Sequence, residues 1–365
     1  MSFWLSEENA YILNPAFSEI RKNELKKLFF WGNSQVSGHL FLATSGTVSS
    51  GRISWVALKK ACFLNSARAV NDHLKVSSSD HWLHALPDFH VGGLSIYARA
   101  FLSSSEVMKL PSWNPEDFVK QASQATLSAL VPTQVYDLVT RGYQAPSCLR
   151  AILVGGGACS SALYQRALDL GWPLLPTYGM TETCSQVATA TLGNPELQVL
   201  SHVQVRACPE GVLEVRGSSL LTGVFFWKEG QPAFEDPKRE GWYRSEDRGE
   251  VLGSQLVVHG RLGECLKIAG EKVQIQALRA LLQSVCLEEG VFHPMELVAM
   301  KDDRLGHAMH LLVEPGLAED QLQKIIQGYE RQVLGFERIK QVHVASLPRN
   351  ALGKLVVSQV SAGVL

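Results

Sequence analysis

The sequence predicts an α/β protein: a large N-terminal α/β domain with a β-rich part, and a small C-terminal α+β domain. Three observations predict it. Short apolar runs alternate with helix-spaced segments between residues 39 and 177, which implies a sheet covered by helices. After residue 200 strand-like runs separated by turns dominate. Beyond Arg261-Leu262-Gly263 the order helix, two strands, helix, strand reads as a unit of its own. The expected division is therefore 1–260 and 261–365.

Taken in order, Asn14-Pro15 opens a helix through Glu19-Ile20-Arg21 to Phe30, with a basic solvated face. His39-Leu40-Phe41-Leu42-Ala43 is a buried strand that runs into a Ser/Thr/Gly loop. Residues 80–86 are a second strand. Asn114 as N-cap, Pro115 at the first helical position and Glu116 in the first turn start a helix, with Phe118, Ala122 and Ala125 on its inner face. A strand over 127–131 follows, and Pro132 opens a helix to Val139. Ala151–Val154 is a strand that ends in three glycines; a helix over 161–170 closes at Gly171, and 174–177 is a short strand. In the β-rich part, 212–216 and 256–259 are strands. The last unit holds helices over 274–284 and 318–333 and strands over 296–301, 307–313 and 338–344.

With 46 % hydrophobic and 19 % charged residues, the 365-residue chain can bury a sizeable core. Its formal net charge of −1 favours neither nucleic acid nor an anionic membrane surface as a partner. Seven cysteines without CxxC spacing point away from disulfides and zinc and toward a reducing cytoplasm. No apolar run approaches the roughly 18 residues of a spanning helix, and the first residues lack the pattern of a secretory signal.

Five segments carry residue types suited to one chemistry, although each also reads as an ordinary loop. Thr44-Ser45-Gly46-Thr47, continuing to Gly51-Arg52, offers hydroxyls and backbone N–H groups to phosphate oxygens, without the Walker A pattern. Pro87-Asp88-Phe89-His90-Val91-Gly92-Gly93 is a turn that can wall a pocket. Gly155-Gly156-Gly157 lets a flat ring approach the backbone. Tyr178-Gly179-Met180-Thr181-Glu182-Thr183 ends a strand, where ligands sit in open α/β sheets: Tyr178 can stack on a base, Thr181 can donate to phosphate, and Glu182 can hold Mg²⁺. The last set joins Asp247, a carboxylate for ribose hydroxyls, Gly260-Arg261 at the boundary, and Pro348-Arg349-Asn350-Ala351-Leu352-Gly353-Lys354, where a lysine on a glycine turn can reach a cleft.

In this order the segments resemble the adenylate-forming superfamily of acyl-CoA synthetases, luciferases and peptide-synthetase adenylation domains, over about residues 39 to 358. Within it, the stretch from Leu149 to Thr189, with its Thr-Glu-Thr-Cys-Ser-Gln extension, is most similar to o-succinylbenzoate–CoA ligases of menaquinone biosynthesis. The resemblance implies a small-molecule acid, ATP, Mg²⁺ and coenzyme A as reactants. It implies that Thr44, Ser45, Gly46 and Thr47 close over phosphates, and that Gly155, Gly156, Gly157, Tyr178 and Gly179 hold adenine. Thr181 and Glu182 would handle phosphate and metal, and Asp247 and Arg261 ribose. His90, Thr183, Ser185 and Gln186 would line the acid pocket. Lys354 would serve adenylation, and Gly270 and Glu271 would approach coenzyme A after the small domain turns as a mobile lid.

The chain departs from that pattern in places. Gly51-Arg52 stands where the family has Pro-Lys, Ser245-Glu246-Asp247-Arg248-Gly249 replaces TGDLG, and Gly263 occupies a hinge position. The Thr44 loop also comes early, so the large domain is expected to be shortened at its N-terminus, leaving apolar surface that a second copy of the chain could cover. Two alternatives stay open: another aryl or acyl acid–CoA ligase, and a non-catalytic nucleotide-binding relative.

Overall fold

A computed structural model describes residues 3–43, 54–262, 265–268, 271–302 and 304–347. The predicted α/β class is what it shows: a large α/β part followed by a small α+β sheet. Among the described residues twelve strands form one sheet, and its two halves differ in direction. Strands Glu106–Lys109, His81–His84, Leu127–Leu130, Ala151–Val154 and Leu174–Met180 lie side by side in that order, all parallel. Parallel strands need crossovers, and here each crossover holds a helix: Val91–Ser103, Pro115–Ala122, Pro132–Thr140 and Ser161–Asp169. The inner strands Leu127–Leu130 and Ala151–Val154 are short and wholly buried, as expected for the middle of a sheet covered on both faces.

From Leu174–Met180 the sheet continues antiparallel through Ser185–Thr191, Asn194–Val199, Gln255–Arg261, Trp242–Leu252, Val212–Gly217 and Val203–Ala207. A separate five-stranded sheet, in the order Ala10–Ile12, His39–Ala43, Ser54–Lys59, Gly223–Lys228, Gln231–Glu235, packs against helix Glu19–Asn33. Leu25, Leu28, Phe29, Phe41, Trp55 and Phe225 form that core, and the Trp55 indole donates to the Leu25 carbonyl at 2.7 Å. Residues 268–329 build their own apolar core around helices Ile275–Glu288 and Glu319–Glu330 and strands Met295–Asp302 and Gly306–Val313.

Local chemistry explains the boundaries. Asn114 accepts from the Glu116 and Asp117 amides, as its position predicted. The first helix begins later than expected. Asn14 accepts the Ala16 amide in a turn, and Ser18, accepting from Arg21, is the true N-cap. The larger correction concerns Gly92 and Gly93, read as part of a turn. They open helix Val91–Ser103, and at Gly93 a Cβ would come within 2.3 Å of the Pro87 carbonyl oxygen, so glycine lets the helix sit against the turn before it. The strand expected over 174–177 continues to Met180, which places Tyr178 and Gly179 within the sheet. No helix of the described residues is long and apolar enough to cross a membrane.

Candidate active site

Parallel strands end at the same edge, so their following loops gather there. Five loops do so: those after His84, Lys109, Leu130, Val154 and Met180. Chain order reverses at strand His81–His84, which has its successor Glu106–Lys109 on one side and Leu127–Leu130 on the other. A crevice outside the carboxyl ends at such a reversal is the usual ligand position in open α/β sheets. Gln134 ties its walls together: the side chain donates to the Ala85 carbonyl at 3.0 Å and accepts the Val131 amide at 3.0 Å. His90 stands at the rim as the N-cap of helix Val91–Ser103, its ring 4.6 Å from that of Phe89. Gly155, Gly156 and Gly157 follow the next strand, with Gly156 at φ +79°.

At Gly179 a Cβ would lie 1.8 Å from the Ser185 carbonyl oxygen, a main-chain collision that only glycine avoids. The turn beyond it, Thr181–Thr183, is tightly held. The buried Thr183 hydroxyl bonds the main chain of Met180 and Ser185, so it is engaged in the turn and not offered to a ligand. Leu221 donates its amide to the Glu182 carbonyl at 2.7 Å, and Ser95 reaches the Cys184 carbonyl at 3.4 Å. Cys184 and Ser185 both adopt positive φ, 53° and 98°, a backbone strain these contacts must hold in place.

Tyr178 donates to Asp247 Oδ2 at 2.8 Å. Three strands separate their own two in the sheet, which in a flat sheet would put them about 19 Å apart. The bond therefore requires the antiparallel half to curl back on itself. Arg261, the register partner of Asp247, places Nε 3.5 Å from Oδ1. Burial, then the Asp247 charge, pushes the Tyr178 phenol well above its usual range, so it stays a donor. Burial likewise raises the Glu182 carboxyl, with Arg261 opposing and Glu246 and Asp247 reinforcing the shift.

One feature escaped the sequence reading. Arg99 is 2 % exposed, and no carboxylate pairs with it among the described residues. Its Nη2 reaches the buried Gln186 Oε1 at 3.4 Å, its Nε meets no hydrogen-bond partner among the described residues, and the guanidinium lies 5.6 Å from the Trp82 ring. Burial alone pulls it down to about 9. The available signal was a lone charge in the otherwise uncharged helix VGGLSIYARAFLS.

Among the described residues no group of three or more His, Cys, Asp or Glu side chains forms a metal cage. Glu182 offers one carboxylate in acidic surroundings. That donor set fits Mg²⁺ carried largely on phosphate oxygens, the common arrangement for this ion. Glu271, itself exposed, begins strand Glu271–Gln274. Thr44, Ser45, Gly46, Thr47, Gly270 and Lys354 lie outside the described residues.

A phosphate- and ring-suited loop set at the carboxyl edge of a half-parallel sheet defines a nucleotide-binding α/β protein. The family model described as "AMP-binding enzyme" matches residues 42–210. A 2-succinylbenzoate–CoA ligase of Bacillus cytotoxicus is 30 % identical over 338 residues, covering 86 % of this chain and 67 % of the relative. That of Bacillus pumilus is 28 % identical over 335 residues, covering 86 % and 66 %. The chain belongs to the AMP-binding enzyme family, and it spans about two thirds of the length of these curated relatives. The fold is similar to the Bacillus subtilis o-succinylbenzoate CoA synthetase in complex with the acyl-adenylate intermediate OSB-AMP, at TM-score 0.72 and 23 % identity over 88 % of this chain and 68 % of the other. It is also similar to ATP-bound MatB from Rhodopseudomonas palustris, at TM-score 0.72 and 20 % identity over 87 % and 66 %.

Proposed function

We propose that this chain is an ATP-dependent carboxylic acid–CoA ligase whose acid is o-succinylbenzoate, placing it in menaquinone biosynthesis. Convergence of the 85–90, 155–157 and 181–183 segments on one sheet edge, closed by the Tyr178–Asp247 bond, carries this reading. The acid carboxylate attacks the α-phosphorus of ATP and pyrophosphate leaves; a coenzyme A thiol then attacks the mixed anhydride and AMP leaves. A carboxylate is already a nucleophile, so no activating base is required. The barrier is repulsion between anions, and the groups that lower it position and neutralise charge. Thr181 and Glu182 face the phosphates, and Mg²⁺ held by Glu182 would draw charge from them. Gly155–157 and Tyr178 take adenine, Asp247 and Arg261 ribose. Lys354 meets the attacking carboxylate and the α-phosphate in adenylation, and Gly270 and Glu271 approach coenzyme A once residues 261–365 turn as a lid.

Arg99 supports an acid that carries a second negative group. An unneutralised buried guanidinium is costly unless an anion arrives to pair with it. Succinylbenzoate brings one carboxylate to react and another to bind.

The test is pyrophosphate exchange across a panel of acids, with and without coenzyme A. Exchange that depends on o-succinylbenzoate supports the assignment. A better acid overturns the substrate, and nucleotide binding without exchange for any acid overturns the activity. Lys354→Ala should lose about 10²–10³ in adenylation rate yet still convert a supplied acyl-adenylate to thioester. Equal loss in both steps would contradict its role.

A further inference from the structure

The 87–90 turn sits on a group of side chains that the proposed reaction does not use. His84, fully buried, closes strand His81–His84, and its register partner on the adjacent parallel strand is Lys109. His84 Nδ1 accepts the Leu86 amide at 3.3 Å, which leaves the ring proton on Nε2. That nitrogen lies 2.9 Å from Asp88 Oδ1. The Tyr97 phenol donates to the same oxygen at 3.3 Å, and the Lys109 ammonium bonds Oδ2. The His84 and Tyr97 rings meet edge-on at 4.9 Å. One carboxylate thus joins two parallel strands, the turn and helix Val91–Ser103. Burial works against the Asp88 charge, but Lys109, His84 and Tyr97 outweigh it and hold the carboxyl below its ordinary value. Burial lowers the His84 pKa against the pull of Asp88.

Asp88 lies two residues before His90. The His90 amide bonds the Pro87 carbonyl at 3.2 Å, and the His90 carbonyl accepts the Leu94 amide at 3.0 Å, so the place of His90 follows from the turn that Asp88 anchors. A bare carboxylate at the rim of an acid-binding crevice would also repel the substrate. Pairing with Lys109 removes that repulsion while leaving the anchor.

We propose that Asp88 is a positioning residue for the acid crevice: held between Lys109, His84 and Tyr97, it fixes the 87–90 turn and thereby His90. This rests on the crevice being the acid site. The test uses the full chain with o-succinylbenzoate and ATP, comparing Asp88→Asn, Asp88→Glu and Asp88→Asn with Lys109→Met. Expected is a rise in KM for the acid of about tenfold in Asp88→Asn, with kcat and KM for ATP within about twofold. Asp88→Glu should recover part of the loss. The double variant should stay impaired, since removing the ammonium does not rebuild the anchor. Full recovery in the double variant would mean that charge alone mattered, and a parallel rise in both KM values would mean general damage; either overturns the proposal. A second arm needs no turnover. Amide hydrogen exchange at His90 and Leu94 in the ligand-free protein should quicken about tenfold in Asp88→Asn while Ala151–Val154 stays unchanged. Unchanged exchange at His90 overturns the positioning role even if no acid proves to be a substrate, so the two readings fail separately.

Discussion

The phenol of Tyr178 donates to the carboxylate of Asp247 at 2.8 Å, although the two lie on strands separated by three others in the sheet order. This bond pins the curled antiparallel half to the end of the last parallel strand. It also orients a carboxylate whose other oxygen faces Arg261.

Tyr178→Phe keeps the ring and removes the donor. ATP affinity should fall about tenfold, close to one neutral-to-charged hydrogen bond, and folding stability by about 1–2 kcal/mol. Calorimetric titration with ATP and urea unfolding measure the two effects. Unchanged ATP affinity would separate the Tyr178–Asp247 bond from nucleotide binding.

Gly179→Ala should be far worse than its size suggests. The added methyl would sit 1.8 Å from a main-chain oxygen, so either the strand or the 181–185 turn must move. A loss of about 3 kcal/mol or more is expected. Gly193→Ala is the control: nothing lies within 4 Å of its Cβ, and only its φ of +77° opposes the change, for about 1 kcal/mol. Equal costs at the two sites would refute the collision argument.

Arg99→Met should leave the fold as stable as before or more so, by up to about 2 kcal/mol, because it exchanges a buried cation that meets no carboxylate among the described residues for an apolar chain of similar length. Affinity for o-succinylbenzoate should fall about 100-fold or more, with ATP affinity little changed. A strong loss of stability with acid affinity intact would make Arg99 a structural residue.

His202 predicts a pH dependence. Both ring nitrogens are buried, and burial, opposed only in part by the Gln186 main chain, pulls its pKa down to about 4. The unfolded chain takes up this proton near pH 6.5, the folded chain only near 4. Stability from this group is thus complete above pH 6.5 and is lost as pH falls toward 4, at up to about 1.4 kcal/mol per unit. Denaturation midpoints of the wild type and His202→Gln, followed from pH 7 to 4, should diverge over that window with the variant falling less.

Much of the scaffold was legible from local patterns. Asn114-Pro115 marked a helix start because an N-cap acts through bonds two and three residues away. Apolar strands such as Ala151–Val154 stood out between glycine and proline signals. Helix Val91–Ser103 did not, since two glycines in its first turn reproduce a turn signal, and strand Ser54–Lys59 with helix Lys60–Leu74 followed a Ser/Thr/Gly-rich stretch of sequence that offered no boundary.

By itself the sequence determined which side chains are present at the carboxyl edge and in what order: His90, the three glycines and Glu182 follow strands and Tyr178 lies near the end of one, and period and punctuation are enough to say so. Only the tertiary structure decided which of them meet. The curl that brings Asp247 to Tyr178, the strand pairing that sets Lys109 beside His84, and the packing that buries Arg99 against Gln186 and Trp82 join residues far apart in the chain. Such contacts follow from sheet order, register and desolvation, which are properties of the packed whole that no local spacing encodes.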